Sequence, residues 1–369
     1  MTDRVVRVLV VDDSAYIRKV IKQMLSRSPF IDVVGTACDG EDALALVDEL
    51  HPDVVTVDLI MPGMGGLGFI REQMARQPIP ILVVSIAEEK SHLVLDALDA
   101  GAIDFVQKPS ALATEKVFEM ADDLIEKVKA AGNVQLAAVK TRDRTPRPVV
   151  APGSPSTTYG RVSLPASASA KPVQFDIVVI GISTGGPQAL KFLVPRLPAE
   201  FPVPIAIVMH MPVGYTQLYA ERLNELSPLS VLEAREGDEV RPGRVLLAPA
   251  GQHLTFVRTT SGVMAHLDAR PFDTVHRPSV DVLFRSAADT FGSRVLGIVM
   301  TGMGNDGREG SSYIKGKDGI VFAEAEESCV VFGMPRSVIE AGSSSRTIPL
   351  QQIPEAIMEA AYGKNSYRG

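Results

Sequence analysis

From Phe175 to Leu193 the chain reads FDIVVIGISTGGPQALKFL, and this stretch decides the fold. Ile177, Val178, Val179, Ile180 and Ile182 form an apolar, β-branched run broken only by Gly181, which predicts a buried strand. Gly185-Gly186-Pro187 then turns the chain into an apolar helix. Ser183 is thereby set at the strand's carboxyl end. In an open parallel sheet ligands bind at that end, and the adjoining helix amino terminus offers free N–H groups to an anion. Gly181, Ser183 and Gly185 also spell G-x-S-x-G, the pattern of a nucleophile elbow, in which a strained turn lifts a serine Oγ clear of the sheet. Two plainer readings stand beside it: a Gly-rich turn that only binds phosphate, and a serine that only caps a helix.

Working outward, 369 residues exceed one ordinary domain and imply two, each able to bury a core. The two cysteines, Cys38 and Cys329, are far apart and lack metal-ligand spacing, so neither a disulfide framework nor a zinc site is expected, and a reducing cytoplasm fits. The opening MTDRVVRVLVVDDS reaches two aspartates at once and reads as neither signal peptide nor anchor; no segment is long enough to insert in a membrane. With a net charge of −7 and no basic footprint in either large region, nucleic acid is not an expected partner.

Residues 5 to 108 alternate short apolar runs with helical patterns, which implies a parallel sheet covered on both faces. Polar residues fall where those runs end: Asp12 and Asp13 after the first, Asp58 after the third, Ser85 after the fourth, Lys108 after the fifth. These ends converge on one edge of such a sheet, so three carboxylates and one ammonium share a small site. Close carboxylates repel unless a cation joins them, and all-oxygen ligation suits Mg²⁺. Residues 5 to 125 resemble the receiver domain of two-component response regulators. The resemblance implies that Asp58 accepts a phosphoryl group from a histidine kinase, and that Asp12, Asp13, Asp58 and the Ile60 carbonyl hold Mg²⁺. It also implies that Lys108 pairs with the phosphoryl oxygens, that Ser85 is the switch residue and that Phe105 is its aromatic partner. Met64-Gly65-Gly66 departs from the family's usual M-D-G-like turn, a departure that bears on the rigidity of the loop after Asp58.

From Ala131 to Pro172 periodicity disappears into a Pro-, Ser- and Ala-rich basic stretch, which reads as a flexible linker between domains at 1–130 and 173–369. Beyond it, PIAIVMHMP is a second apolar strand that delivers His210, and VLGIVMTGMGNDG, Val295 to Gly307, is a third that runs into a loop holding Asp306. A serine is a poor nucleophile until a neutral imidazole takes its proton, and the imidazole needs a carboxylate to fix its tautomer. His253, His266 and His276 compete with His210, but only His210 ends a wholly apolar strand. The order Ser, His, Asp differs from that of α/β-hydrolases, so the G-x-S-x-G match alone misleads about the fold.

GISTGGPQAL, HMPVGYTQLYAERL, PSVDVLF, TGMGNDGREG and CVVFGMP resemble the catalytic domain of the chemotaxis protein-glutamate methylesterases, from about Val173 to Ala360. The resemblance implies an α/β protein of two doubly wound parallel-sheet domains, a flavodoxin-like receiver and a Rossmann-like methylesterase, joined by the linker. It implies Ser183 as nucleophile, His210 as general base and Asp306 as orienting acid, with Thr184 and the backbone of Met303 lining the active site and its oxyanion hole. Implied substrates are glutamyl methyl esters on the cytoplasmic helices of chemoreceptors, with glutamine deamidation as a second activity, no cofactor for the ester reaction, and a receiver that covers the active site. The rival reading is a non-enzymatic regulator that binds a nucleotide at Gly185-Gly186. Ser183 stands against it, because it occupies the second glycine's place in G-x-G-x-x-G, where a side chain would obstruct pyrophosphate.

Overall fold

The computed structural model describes residues 4–86, 91–108, 116–132 and 174–362; the expected linker, 131–172, lies almost wholly outside them. The amino-terminal domain runs β1 (Val6–Val11), α1 (Ala15–Leu25), β2 (Ile31–Ala37), α2 (Gly40–Leu50), β3 (Val54–Val57), α3 (Gly65–Arg76), β4 (Ile81–Ile86), α4 (Ser91–Asp99), β5 (Asp104–Lys108) and α5 (Lys116–Ala131). Its five strands pair in parallel in the order β2-β1-β3-β4-β5, the flavodoxin-like order. Local chemistry agrees with that course. Ser14 caps α1 by accepting the Ile17 amide at 3.4 Å, and Asp39 caps α2 by accepting the Asp42 amide at 2.8 Å.

The turn after Asp58 is held at several points. Glu41 Oε1 accepts the Met64 amide at 3.2 Å and Leu59 accepts the Gly66 amide at 3.2 Å. A Cβ at Gly66 would lie 2.0 Å from the Asp58 carbonyl oxygen, so only glycine permits this approach.

The carboxyl-terminal domain runs β6 (Ile177–Ile182), α6 (Gly186–Leu193), β7 (Ile205–Met209), α7 (Thr216–Leu226), β8 (Ser230–Glu233), β9 (Arg244–Leu247), β10 (His253–Thr259), β11 (Gly262–Asp268), α8 (Val280–Phe291), β12 (Val295–Val299), α9 (Arg308–Gly316), β13 (Ile320–Glu324), α10 (Met334–Glu340), β14 (Arg346–Ile348) and α11 (Ile353–Tyr362). Seven parallel strands pair in the order β14-β13-β12-β6-β7-β9-β8, while β10 and β11 form an antiparallel hairpin against α8. The central strands are buried on both faces, as their continuous apolar runs require. From β6 the chain first builds outward through β7, then returns to build the other half from β12. The crevice between β6 and β12 is therefore the topological switch point, where ligands bind in such sheets.

The two domains meet along α4 and β5 on one side and α6 and α7 on the other. Leu95, Leu98 and Phe105 share one apolar cluster with Leu190, Tyr215 and Tyr219, and the Phe105 and Tyr215 rings lie 4.7 Å apart. Ion pairs rim this seam. Lys191 pairs with Asp99, and Arg222 reaches Asp99 at 3.0 Å and Asp96 at 2.5 Å.

Candidate active site

Pairing of β6 with its two neighbours brings three chain segments to the crevice. Ile182 faces Met209 in the parallel register, and the His210 amide donates to the Ile182 carbonyl at 3.1 Å, so Ser183 and His210 leave adjacent strands side by side. On the other flank Gly181 faces Val299, and the Ser183 amide donates to the Thr301 carbonyl at 3.0 Å. The strained elbow suggested by G-x-S-x-G is not the geometry found. Among described non-glycine residues only His51 and Asp318 have positive φ. The turn's left-handed position is Gly185, at φ +80°, where a Cβ would also lie 2.6 Å from Val330. Two small residues, rather than a distorted serine, let the chain turn here.

His210 Nε2 lies 2.9 Å from Asp306 Oδ2, and both side chains are largely enclosed. Asp306 accepts three further hydrogen bonds: from Ser279 Oγ at 2.9 Å, from the Val280 amide at 2.8 Å and from the Asp281 amide at 3.0 Å. The last two amides belong to the open first turn of α8, whose positive end favours a carboxylate. Burial pushes the Asp306 carboxyl up, but the bond and charge of His210 and the two amides outweigh it and hold the group at about 2. Asp306 is thus ionised throughout the physiological range. With Nε2 committed to that carboxylate, His210 Nδ1 remains buried and without a hydrogen-bond partner. It is the ring nitrogen available to accept a proton.

The competing histidines occupy other places. His276 stacks on His210 with ring centroids 4.0 Å apart; burial, and then the charge of His210, push its imidazole down to about 4. His253 is enclosed and bonded through both ring nitrogens, and His266 pairs with Glu236 at 3.0 Å on an exposed edge. Neither of the latter two meets Ser183.

One threonine staples the crevice. Thr301 Oγ1 donates to the Thr184 carbonyl at 2.9 Å and accepts the amides of Val330 and Val331, each at 3.0 Å, while its own amide is taken by the buried Glu324 at 2.8 Å. Gly302 accepts the amides of Gly333 and Met334, and a Cβ on it would lie 2.8 Å from Ser183 Cβ. Met303 follows, half-buried, at the crevice edge. The buried Thr184 donates its hydroxyl across the domain seam to Asp104 Oδ2, at 2.7 Å.

At the strand ends of the amino-terminal sheet, ligand oxygens of Asp12, Asp13 and Asp58 all lie within 4.8 Å of one another. Lys108 Nζ donates to Asp12 at 2.6 Å and to Asp58 at 2.7 Å, in a buried triad. Burial pushes the Asp12 carboxyl above its ordinary value in spite of that ammonium. Among the described residues Ser85 Oγ is buried with no partner, Ile60 is exposed beside the cluster, and Phe105 is buried against Tyr215. Three hard oxygen donors, an adjacent ammonium and an orphaned hydroxyl suit a small hydrated divalent cation and the oxygens of a phosphoryl group.

Comparison with known proteins assigns both domains to known families. Residues 178–357 match the CheB methylesterase family model, and residues 8–120 match the response regulator receiver domain model. The protein-glutamate methylesterase/protein-glutamine glutaminase 5 of Myxococcus xanthus (strain DK1622) is 49% identical over 347 residues, 94% of this chain and 95% of its own. This chain belongs to the protein-glutamate methylesterase/protein-glutamine glutaminase family. A second member, from Symbiobacterium thermophilum, is 44% identical over 373 residues, 98% of this chain and 99% of its own. The crystal structure of the Thermotoga maritima CheB methylesterase catalytic domain is 44% identical, covers 50% of this chain and 98% of its own, and superposes with a TM-score of 0.49.

In this chain the receiver domain abuts the methylesterase domain beside the crevice, through the Thr184–Asp104 bond and the Phe105–Tyr215 ring contact. Within the receiver, Lys127 of α5 braces the strand that makes this contact, donating to the Phe105 carbonyl at 2.7 Å and lying 3.6 Å from Asp104. Four contributors escape sequence reasoning: Ser279, Thr301, Glu324 and Asp104. For Ser279 a signal existed, since a serine before the apolar run of α8 predicts a helix start. Its bond to a carboxylate from residue 306 is visible only in the folded chain.

Proposed function

We propose that this chain is a cytoplasmic, phosphorylation-activated serine esterase that hydrolyses glutamyl methyl esters on chemoreceptor helices and deamidates receptor glutamines at the same site. Its parts are a receiver at 1–130, a connector at 131–172 and a catalytic domain at 173–369. The observation that carries the reading is the pairing of His210 Nε2 with Asp306, which leaves Nδ1 without a partner on the strand end next to the one that carries Ser183.

In this mechanism Ser183 Oγ attacks the ester carbonyl while His210 Nδ1 takes its proton, and Asp306 holds the resulting imidazolium. Thr184 and the Met303 backbone line the pocket that receives the oxyanion. As the tetrahedral adduct collapses, the proton passes from His210 to the departing methoxide, which leaves as methanol; from a glutamine the leaving group is ammonia. Water then attacks the glutamyl-enzyme, His210 takes its proton, and Ser183 recovers a hydroxyl as the glutamate departs. Methanol release from methylated receptor membranes, measured with and without a small phosphoryl donor, tests the whole reading. No release in either condition would sink it.

In the receiver, Asp58 accepts the phosphoryl group from a histidine kinase. Mg²⁺ held by Asp12, Asp13, Asp58 and the Ile60 carbonyl would neutralise phosphoryl charge there, with Lys108 and Ser85 as further partners of its oxygens. With Mg²⁺ and a small phosphoryl donor the protein should gain an acid-stable, base-labile acyl phosphate, and Asp58→Asn should gain none. Equal labelling of the Asn variant moves the phosphosite elsewhere.

The receiver restrains the esterase until phosphorylated. Asp104, which holds the Thr184 hydroxyl, lies on the same short strand as Lys108, which holds Asp58. Phosphorylation adds about −1.5 to −2 charges beside Lys108 and so disturbs that strand. Asp104→Ala should raise the unphosphorylated rate about tenfold, since a hydrogen bond to a charged group is worth about 1.5 kcal/mol. An unchanged basal rate, with normal phosphorylation of Asp58, would mean that this contact does not hold the closed form.

A further inference from the structure

Among the buried titratable groups that the esterase reading leaves unused, His253 lies nearest to the Asp306 cradle. His253 opens β10, is 0% exposed, and engages both ring nitrogens. Nε2 lies 3.1 Å from the carbonyl oxygen of Pro271, which can only accept, so Nε2 carries the proton. Nδ1 is then a lone pair, and it accepts the Ser279 amide at 3.1 Å. Burial also pushes the imidazole below its ordinary value, which keeps the ring neutral and Nδ1 free to accept.

Ser279 is the residue through which this matters. It is the N-cap of α8, yet its hydroxyl makes no bond to its own helix and donates instead to Asp306 Oδ1 at 2.9 Å. The next two amides, of Val280 and Asp281, complete the cradle of that carboxylate. We infer that His253 is a positioning residue for the esterase: it fixes the Ser279 amide, and through the Ser279 hydroxyl and the start of α8 it sets the Asp306 carboxylate that orients His210. The same ring anchors Pro271, at the head of the loop that brings His276 onto His210. A second tie runs alongside, since Gly251 donates its amide to the Arg277 carbonyl at 3.0 Å. The inference rests on the esterase reading, and its test separates the two.

Three variants of the full chain divide the functions of the ring. His253→Asn places an oxygen near the position of Nδ1 and keeps an acceptor for Ser279. His253→Gln reaches toward the position of Nε2, keeps a donor for Pro271 and gives Ser279 nothing. Ser279→Ala is the smallest change that cuts the link to Asp306. Each is assayed for labelling of Ser183 by a fluorophosphonate, for kcat and KM of methanol release from methylated receptor membranes, and for melting temperature. The Gln and Ala variants should lose about 10²-fold in kcat and in labelling rate, the scale of a misplaced catalytic group, with KM little changed. The Asn variant should stay close to wild type.

Equal kcat in the Asn and Gln variants, or a Gln variant that only melts lower, would reduce His253 to a packing residue. Near wild-type kcat in Ser279→Ala would overturn the inference even if both His253 variants fail to fold. A wild-type protein that labels at Ser183 but releases no methanol would sink the ester substrate, while the labelling rates still decide the role of His253.

Discussion

Ser183→Ala should leave a folded protein that releases methanol slower by about 10⁶-fold, the scale seen when one member of a nucleophile–base unit is removed. The size of the loss follows from the crevice, where the neighbouring hydroxyls are already committed to other partners. Thr184 spends its hydroxyl on Asp104, Thr301 spends its own on the Thr184 carbonyl, and Ser279 spends its own on Asp306. Folding should survive the change. The anchors of Ser183 are backbone bonds, from its amide to Thr301 just past β12 and from the Gly186 amide at the start of α6 to its carbonyl, and alanine keeps both. Near wild-type turnover from a variant of unchanged melting temperature would remove the nucleophile assignment. Loss of turnover together with loss of the thermal transition would instead make Ser183 structural.

Asp306→Asn should lower kcat on the order of 10⁴-fold, the loss typical when the orienting carboxylate of such a site becomes an amide. Four donors converge on Asp306: the ring N–H of His210, the Ser279 hydroxyl and two amides of α8. Asparagine replaces one acceptor oxygen with a donor and cannot satisfy all four. If the amide nitrogen turns toward His210, the imidazole takes the other tautomer, and Nδ1 then carries a proton when it should accept one. Stability changes with a defined sign. Because the folded Asp306 carboxyl sits at about 2 against an ordinary 3.8, its contribution is present above 3.8 and is lost as pH falls from there to about 2. Acid unfolding followed by circular dichroism should therefore lose part of its slope in that window in the Asn variant. A kcat within tenfold of wild type would assign His210 a different orienting group.

Much of this site was legible before any coordinates, and for one physical reason. Strands buried on both faces are written as unbroken apolar runs, so the first polar residue after each run marks a strand end, and parallel sheets gather those ends on one edge. Asp12, Asp58 and Lys108 in one sheet, and Ser183 and His210 in the other, were found this way. Asp306 was harder, lying several residues beyond Val299 in a glycine-rich loop. The short edge strand β8 and the hairpin β10–β11 carry weaker patterns, because one face of each is open or mixed.

The supporting shell was not legible. Whether Ser279 caps its own helix or holds Asp306 depends on how two distant loops meet, and nothing in PSVDVLF encodes it. His253, the most enclosed of the competing histidines, looked in sequence like any residue after a Pro-Ala-Gly turn. The seam between domains was hidden for the same reason. Asp104 reads as an ordinary strand residue and Phe105 only as the partner of Ser85, while Thr184 and Tyr215, which they meet, are supplied by another domain.

The strand order of the second sheet has a consequence for how a cell acquires this enzyme. A chain emerges from the ribosome amino terminus first, and its domains fold in that order. The seam-forming elements α4 and β5 are made before any of the methylesterase domain. Ser183 and His210 follow, but the crevice closes only when β12 inserts beside β6 and the loop after it brings Asp306, late in translation. On the proposed reading, a nascent chain carries the receiver's side of the seam before its triad is complete, and one that stops short of β12 lacks Asp306 and should be inert rather than unregulated.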